Sequence, residues 1–241
     1  RDVSARSHEE LARTEWLLTA GDGGFAMGTV LGVPARRYHG LLVASMRPPV
    51  ERVMTLHSVA ESLLISPDTL AEERVDLSTF RFRPGELHPR GDAHLVRFEK
   101  DTSVRWTWKY KSAVVTKEVL LVRGAGAVMV RYTVSGESRP TRLMLRPLVA
   151  MRDFHALTLR DVVRAQFSVK HAERSLVVQS PLPPLHIGVD HGQVAPVEQW
   201  WYNFQYDLER DRGYDYLEDL YHPGSFVVDF PGGGAGKQGG G

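Results

Sequence analysis

The sequence has 241 residues, of which 42% are hydrophobic and 24% are charged, a composition typical of a folded protein with an ordinary core. Its 30 Lys and Arg residues against 29 Asp and Glu residues give a formal net charge of +1, which provides no basic surface for nucleic acid or an anionic membrane. The absence of cysteine excludes disulfides, thiolate nucleophiles and cysteine-based zinc sites, and no apolar run reaches the roughly 20 residues that a transmembrane helix needs.

Alternation of apolar and polar residues is the dominant pattern along the chain, and it predicts strands with one buried face. The clearest run contains Val104, Trp106, Trp108 and Tyr110, with polar residues between them. In chain order, the predicted strands cover residues 40–45, 52–56, 62–66, 95–100, 104–110, 114–122, 128–134, 141–146, 163–170, 175–179, 198–206 and 225–230. Helical turns are predicted only at residues 8–13 and 207–211.

The connections between these strands predict the fold class. They are short and rich in turn-forming residues, as in Ser66-Pro67-Asp68, and the chain contains no long amphipathic helix. Many short strands without intervening helices indicate antiparallel pairing rather than βαβ units. We therefore expect an all-β fold in which residues 1–230 form a single large antiparallel β-sandwich with few short helices. The glycine-rich segment 231–241 cannot bury apolar surface and is expected to be a flexible tail.

Three segments are unlike ordinary strand sequence. A glycine-rich stretch after Glu15 leads into Arg36-Arg37-Tyr38-His39-Gly40-Leu41-Leu42, and its glycines permit close approach of the backbone. The second segment is Arg152-Asp153-Phe154-His155. The third begins with Trp-Trp-Tyr-Asn-Phe at residues 200–204, continues with Arg-Gly-Tyr-Asp-Tyr at 212–216 and Glu-Asp at 218–219, and ends with Pro-Gly-Ser-Phe at 223–226.

In this order, the three segments resemble the N-terminal domain of bacterial and archaeal glycogen debranching enzymes, the amylo-α-1,6-glucosidases. The resemblance covers roughly residues 15–230. It implies a β-supersandwich of the mutarotase-like kind and a role in the degradation of α-glucans such as glycogen or branched dextrin. In that family the glucosidase site lies in an (α/α)-barrel of the same polypeptide, which these 241 residues do not contain. The resemblance therefore implies a non-catalytic domain that supports this barrel and shapes its substrate cleft.

The same motifs supply candidate contacts for substrate or for the barrel. The candidates are Arg37, Tyr38, His39, Asp153, His155, Trp201, Arg212, Asp215, Glu218 and Asp219. For several of them a structural role is the alternative: His39 as a hydrogen-bonded core histidine, His155 ordered by Asp153, and Trp201 as core. We expect no cofactor, no metal site and a cytoplasmic location, since the polar N-terminus has no signal-peptide pattern.

No catalytic residue is assigned. Glycoside hydrolysis normally needs two carboxylates about 5–10 Å apart across the scissile bond. Glu218 and Asp219 are adjacent, so in an extended strand they point to opposite faces. Alternation likewise places Trp200, Tyr202, Phe204 and Tyr206 on one face and Trp201, Asn203 and Gln205 on the other.

The segment 209–219 is expected to be the surface that docks on the barrel, because it interleaves charges of both signs with Tyr214 and Tyr216. A solvated loop held by its own ion pairs is the alternative. Two other functions also stay open. A mutarotase-like enzyme that isomerises sugars would pair His39 or His155 with Glu209 or Glu218. A free-standing carbohydrate-binding module would bind glycogen on its own.

Overall fold

The computed structural model describes residues 3, 6–48, 50–163 and 166–232. The helices of this part are α1 (His8–Arg13), α2 (Arg160–Val163) and α3 (Asp207–Asp211), with a 3-10 turn at Gly91–His94. The strands are β1 (Glu15–Thr19), β2 (Phe25–Thr29), β3 (Gly40–Arg47), β4 (Glu51–Ile65), β5 (Glu73–Asp76), β6 (Thr79–Phe82), β7 (Glu86–Arg90), β8 (Leu95–Lys100), β9 (Val104–Tyr110), β10 (Ala113–Val122), β11 (Ala127–Ser135), β12 (Thr141–Asp153), β13 (Ser168–His171), β14 (Ser175–Gln179), β15 (Leu185–Gly188), β16 (Gln193–Ala195), β17 (Gln199–Gln205), β18 (Leu217–His222) and β19 (Ser225–Phe230).

Most strands belong to one curved sheet of twelve strands. Its main path is β1-β2-β3-β4-β12-β18-β17-β6-β7, while β5 pairs with β4, β19 with β12, and β16 with β19. A second sheet has the order β11-β10-β9-β8, and a third has the order β13-β14-β15. Every strand pair in the described residues is antiparallel. The predicted all-β fold with antiparallel pairing and few short helices is therefore confirmed.

The main core lies between the twelve-stranded and the four-stranded sheets. Trp16 of β1 and Trp106 of β9 meet edge to face with ring centroids 5.5 Å apart, and Trp106 donates its indole N–H to the carbonyl of Val30 at 2.9 Å. A polar group also joins the two layers: the buried carboxylate of Glu61 accepts hydrogen bonds from Lys117 at 2.6 Å and Tyr132 at 2.8 Å. These contacts make the two sheets a sandwich.

A second, smaller core covers part of the opposite face of the large sheet. Its aromatic centre is Phe80 of β6 against Phe204 of β17, with ring centroids 5.3 Å apart. Leu148 and Ala150 of β12 belong to this core, whereas Leu143 belongs to the main core. The central strands of the large sheet are thus buried on both faces over part of their length.

Many predicted elements have the bounds seen in the structure. Both helical turns and the strands at 95–100, 104–110, 175–179 and 225–230 are confirmed residue for residue. The central strands are longer than predicted, because β4 joins the predicted strands 52–56 and 62–66 and β12 runs on to Asp153. The strands β1, β2, β5, β6, β7, β15, β16 and β18 were not predicted.

The predicted strand 163–170 is wrong in its first half. Helix α2 ends at Val163 and β13 begins at Ser168, while residues 164–165 lie outside the described part of the chain. The backbone N–H of Arg160 donates to the carboxylate of Asp219 at 3.0 Å, so a contact from a distant strand holds the first turn of α2. The alternation of apolar and polar residues in the sequence does not reveal that hydrogen bond.

The predicted alternation of the aromatic strand fails at Asn203. A bulge interrupts the pairing of β17 with β18 between Trp201 and Phe204, and Asn203 adopts the left-handed conformation with φ of 62°. The extra residue puts Trp201 on the same side as Phe204, with the two rings stacked at 6.4 Å. Trp200 instead packs against Tyr221 on the other face.

Most of the predicted flexible tail, residues 233–241, lies outside the described residues. The described helices are all short, and none is long and apolar enough to cross a membrane.

Candidate functional site

The three motif segments of the sequence meet at one surface of the large sheet. Arg37 and Tyr38 lie between β2 and β3, His155 follows β12, and residues 212–216 connect α3 to β18. The guanidinium of Arg37 donates to the carbonyls of His155 at 2.8 Å and Asp215 at 3.1 Å. We call the exposed and half-exposed side chains gathered here the motif surface: Arg37, Tyr38, Phe154, His155, Arg212, Tyr214 and Asp215.

Aromatic contacts complete the motif surface. The hydroxyl of Tyr38 lies 3.1 Å from Nδ1 of His155, which joins the first motif to the second. The ring of Tyr214 lies 5.6 Å from the guanidinium of Arg37 and 5.1 Å from that of Arg212, within the range of cation–π attraction. Tyr214 remains 53% exposed, so much of this aromatic side chain is free to contact another surface.

Directly beneath lies a group of ionisable side chains that are almost fully buried. This buried layer consists of His39, His57, Arg152, Tyr206, Glu209 and Glu218. At its centre the Arg152 guanidinium donates to both carboxylate oxygens of Glu218, the second at 2.9 Å. Glu218 also accepts a hydrogen bond from the Tyr206 hydroxyl and one from the backbone N–H of Thr158 at 3.0 Å.

These hydrogen bonds keep the carboxylate of Glu218 ionised although it is completely buried. Burial acts to raise the pKa of Glu218, but the opposing charge and hydrogen bonds of Arg152 outweigh it and hold the pKa below its ordinary value. Arg152 also donates hydrogen bonds to the carbonyls of Arg37 at 2.9 Å and Phe154 at 3.3 Å. The pair therefore fixes two of the loops that form the motif surface.

His57 extends the buried layer behind Tyr206. Its Nε2 lies 2.9 Å from the Tyr206 hydroxyl, and its Nδ1 lies 3.0 Å from the hydroxyl of Ser58. Tyr206 gives its only proton to Glu218, so His57 donates from Nε2 and accepts at Nδ1, the pattern of a neutral imidazole. Burial lowers the pKa of His57 to about 4, which agrees with this neutral state.

His39 is also buried and neutral. Its Nδ1 accepts the backbone N–H of Ala35 at 3.0 Å, and its Nε2–H donates to Glu15 at 2.9 Å. Burial lowers the pKa of His39, while the hydrogen bond from His39, with a second from Arg36, lowers the pKa of Glu15 to about 2. The neighbouring Tyr38 faces the motif surface instead. Both ring nitrogens of His39 are thus used inside the chain.

Two of the three candidate aspartates, Asp153 and Asp219, accept hydrogen bonds from the backbone. Asp153 accepts the N–H of His155 at 2.8 Å and so shapes the turn that presents this histidine. Asp219 accepts the N–H groups of Asn203 at 2.9 Å and Arg160 at 3.0 Å. Glu218 is buried and Asp219 is half-buried on the other face of β18, so the two are not arranged as a hydrolytic pair.

Trp201 is separated from the other candidates. It packs edge to face against Phe80 at 6.2 Å in the second core and lines a cavity that contains no residue of the motif surface. Arg212 and Asp215 are exposed, and in the described residues their side chains form no hydrogen bond or ion pair, while Arg212 lies over the ring of Tyr214. The expected docking segment 209–219 thus divides into buried residues, Glu209 and Glu218, and exposed ones.

The pairs expected of a mutarotase-like site are not assembled. The carboxylate partner of His39 is Glu15, and the ring of His155 faces Tyr38. Glu209 is 1% exposed beneath Arg37, whose Nη2 lies 3.4 Å from its carboxylate. Within the described residues, no three His, Asp or Glu side chains are grouped so that they could hold a metal ion. The buried layer holds the loops in place, and the motif surface above it is exposed.

Sequence reasoning missed most of the buried layer. Arg152 stands inside a quoted motif and Glu209 inside the docking segment, but neither was chosen as a site residue. His57 lies in the centre of β4, a strand that was predicted as two pieces. A polar residue at the centre of an apolar strand is the one signal that points to a buried, partnered group.

The family model described as "Glycogen debranching enzyme N terminal" matches residues 14–235, which include all three motif segments. No curated protein matches the sequence. Since the match spans most of the 241 residues, this chain belongs to the family of glycogen debranching enzyme N-terminal domains.

Proposed function

We propose that residues 1–230 act as one non-catalytic domain of a glycogen debranching enzyme and that the motif surface docks on an (α/α)-barrel α-1,6-glucosidase domain of the same polypeptide. In this role the domain supports the barrel and forms one wall of the cleft that receives glycogen or branched dextrin. Family membership supports the coarser part of this proposal, and the geometry of the motif surface supports docking.

The observation that carries the proposal is the convergence of the three motifs on one surface whose loops are joined by hydrogen bonds. Arg37 joins loops that are more than 100 residues apart in the chain, and Arg152 ties two of them to Glu218 below. Above these contacts Arg212, Tyr214 and Asp215 remain exposed. Exposed aromatic and charged side chains above a buried, hydrogen-bonded layer are typical of a specific, polar interdomain surface.

The chemistry of the same residues argues against catalysis in this domain. A glycosidase needs a carboxylic acid and a second carboxylate that both reach the scissile bond. Glu218 is 0% exposed and its oxygens are occupied by Arg152, Tyr206 and Thr158. Asp219 is bound to two backbone N–H groups. Neither carboxylate is available to a sugar.

Hydrolysis of a branched dextrin tests the non-catalytic part of the proposal. We expect the purified chain to release no more reducing sugar than a mock preparation from cells without the gene. Addition of the separately expressed barrel should restore release, and the barrel alone should be less active than the two together. Release by the purified chain alone, in proportion to its concentration, would contradict the proposal.

A further inference from the structure

A cavity of about 340 Å³ opens on the large sheet beside the second core. Arg146 of β12 lies opposite Ala60 of β4, a member of the second core, so this part of the cavity wall is on the face turned away from the four-stranded sheet. Its walls contain both charged and aromatic side chains, among them Arg74, Asp76, Phe82, His88, Arg146 and Trp201. Its size lies within the roughly 300–1,000 Å³ of small-molecule sites.

Arg146 brings an uncompensated positive charge to this cavity. It donates to the hydroxyl of Ser62 at 2.8 Å and makes a weak contact with the sulfur of Met144 at 3.7 Å. In the part of the chain that the structure describes, it forms no ion pair with a carboxylate. Burial, together with the nearby charge of Arg74, lowers the pKa of Arg146 more than the charges of Asp76 and Glu61 raise it.

A second guanidinium converges on the same hydroxyl. Arg74 lies 3.3 Å from Oγ of Ser62 and 3.0 Å from Oδ1 of Asp76. Ser62 in turn donates its proton to Asp76 at 2.5 Å. The carboxylate of Asp76 is therefore committed to Arg74 and Ser62, and Arg146 is left as the excess cation.

The wall also contains Glu61, whose carboxylate is bonded to Lys117, Tyr132 and Ser78, and the indole N–H of Trp201. The indole Nε1 of Trp201 is buried and has no acceptor among the described residues. This nitrogen is shielded from the cavity, so the unpaired group that a ligand meets is the guanidinium of Arg146, which favours acceptor oxygens and negative charge. The guanidinium fork suits the geometry of a phosphate group.

Another arginine of β12, Arg142, is neutralised by ion pairs. It lies four residues before Arg146 on the same face of β12 and forms ion pairs with Asp229 at 2.6 Å and Asp68 at 2.9 Å. The missing carboxylate at Arg146 is therefore a local property of the cavity. Arg142 also provides a matched control of the same residue type.

We infer that this cavity binds a phosphorylated molecule of monosaccharide size, whose phosphate lies between Arg146 and Arg74 and whose ring packs against Trp201 and Phe82. A phosphate alone would leave most of the cavity empty, so the attached ring accounts for its size and aromatic wall. The inference goes beyond the docking function, because the cavity shares no residue with the motif surface.

Titration calorimetry of the full chain with glucose 1-phosphate, inorganic phosphate and glucose tests the inference. We expect glucose 1-phosphate to bind more tightly than inorganic phosphate, and glucose to bind least. Arg146→Gln should weaken glucose 1-phosphate by roughly tenfold or more, since it removes a charge-assisted contact, whereas Arg142→Gln should leave its affinity unchanged.

Thermal melts provide the folding control. Arg146→Gln removes a half-buried, unpaired charge and should not lower the melting temperature; if it does, Arg146→Lys, which keeps the charge without the guanidinium fork, takes its place with the same expected direction. The inference is overturned if neither phosphate compound binds at millimolar concentration. It is equally overturned if glucose binds as well as glucose 1-phosphate, or if Arg142→Gln weakens binding as much as the change at Arg146.

Discussion

The motif surface and the buried layer beneath it both contain residues of the three sequence motifs, with His57 of β4 added to the buried layer, yet they are opposites in physical terms. Glu218 and Arg152 have every polar atom occupied by the chain itself, whereas the side chains of Arg212 and Asp215 are exposed. Membership in a motif therefore does not show whether a residue is structural or available to a partner. Buried motif residues hold the loops in place, and exposed ones are available to a partner.

The largest effect is expected from removing one member of the central buried pair. Arg152→Met leaves the carboxylate of Glu218 charged and without its main partner at 0% exposure. Breaking a buried ion pair in this way costs about 3–5 kcal/mol of the free energy of unfolding. Urea denaturation measures this loss in the free energy of unfolding. The double variant Arg152→Met/Glu218→Leu should recover part of this stability, and a double variant less stable than the single one would show that the pair itself is not responsible.

The second effect is a decrease of stability in mild acid. Burial holds the pKa of His57 near 4 in the folded chain, against an ordinary value of 6.5, so the unfolded chain binds the proton first as the pH falls. The contribution of His57 is complete above pH 6.5 and is lost between pH 6.5 and 4, by about 3 kcal/mol across the window. Melting temperatures across this range check it.

A matched histidine of the exposed layer provides the control for this pH dependence. His57→Gln should reduce the slope of stability between pH 6.5 and 4 without removing it, because burial also lowers the pKa of His222 to about 4. His155→Gln, at the exposed position, should leave the slope as it is in the unmodified chain. Equal slopes in the two variants would refute the assignment of the acid effect to the buried layer.

A third effect compares two neighbours in the first motif. His39→Ala leaves the buried N–H of Ala35 without its acceptor and removes one of the two hydrogen bonds to Glu15, which costs about 1–3 kcal/mol. Tyr38→Phe removes only the half-exposed hydrogen bond with His155 and should cost less than about 1 kcal/mol. If urea denaturation gives the reverse order, the division of the motif into buried and exposed layers is wrong at this point.

Strands could be predicted where each faces a single core. The run from Val104 to Tyr110 alternates without interruption, and its bounds are those of β9. In β4 the alternation is broken by His57 and Glu61, polar residues that are buried because Tyr206, Lys117 and Tyr132 supply their hydrogen bonds. Those partners lie more than 50 positions away, so no local pattern reveals that the strand continues.

The site could be located from the sequence but not divided into layers. The motifs predicted which segments matter, and alternation correctly placed Glu218 and Asp219 on opposite faces of β18. It could not tell which of the two faces inward, since that depends on Arg152, 66 positions earlier in the chain. The position of Trp201 depends on the bulge at Asn203, which a regular period of two cannot predict.

The smallest effect on stability is expected on the exposed side of the comparison. Within the described residues, Arg212→Ala/Asp215→Ala removes the cation–π interaction of Arg212 with Tyr214, a ring that is itself 53% exposed. Surface substitutions of this kind change the free energy of unfolding by less than about 0.5 kcal/mol. A melting temperature well below that of the unmodified chain would show that the segment is internal scaffolding.

Association of this chain with a separately expressed barrel domain of its own polypeptide tests the account most directly. The measurement is the dissociation constant by titration calorimetry for three proteins: the unmodified chain, Arg212→Ala/Asp215→Ala, and a control, Arg97→Ala/Glu99→Ala, which removes an exposed ion pair on the four-stranded sheet. We expect the first double variant to weaken association by roughly tenfold or more and the control to leave it unchanged. Equal affinity of all three proteins for the barrel would contradict the claim that the motif surface is the docking surface.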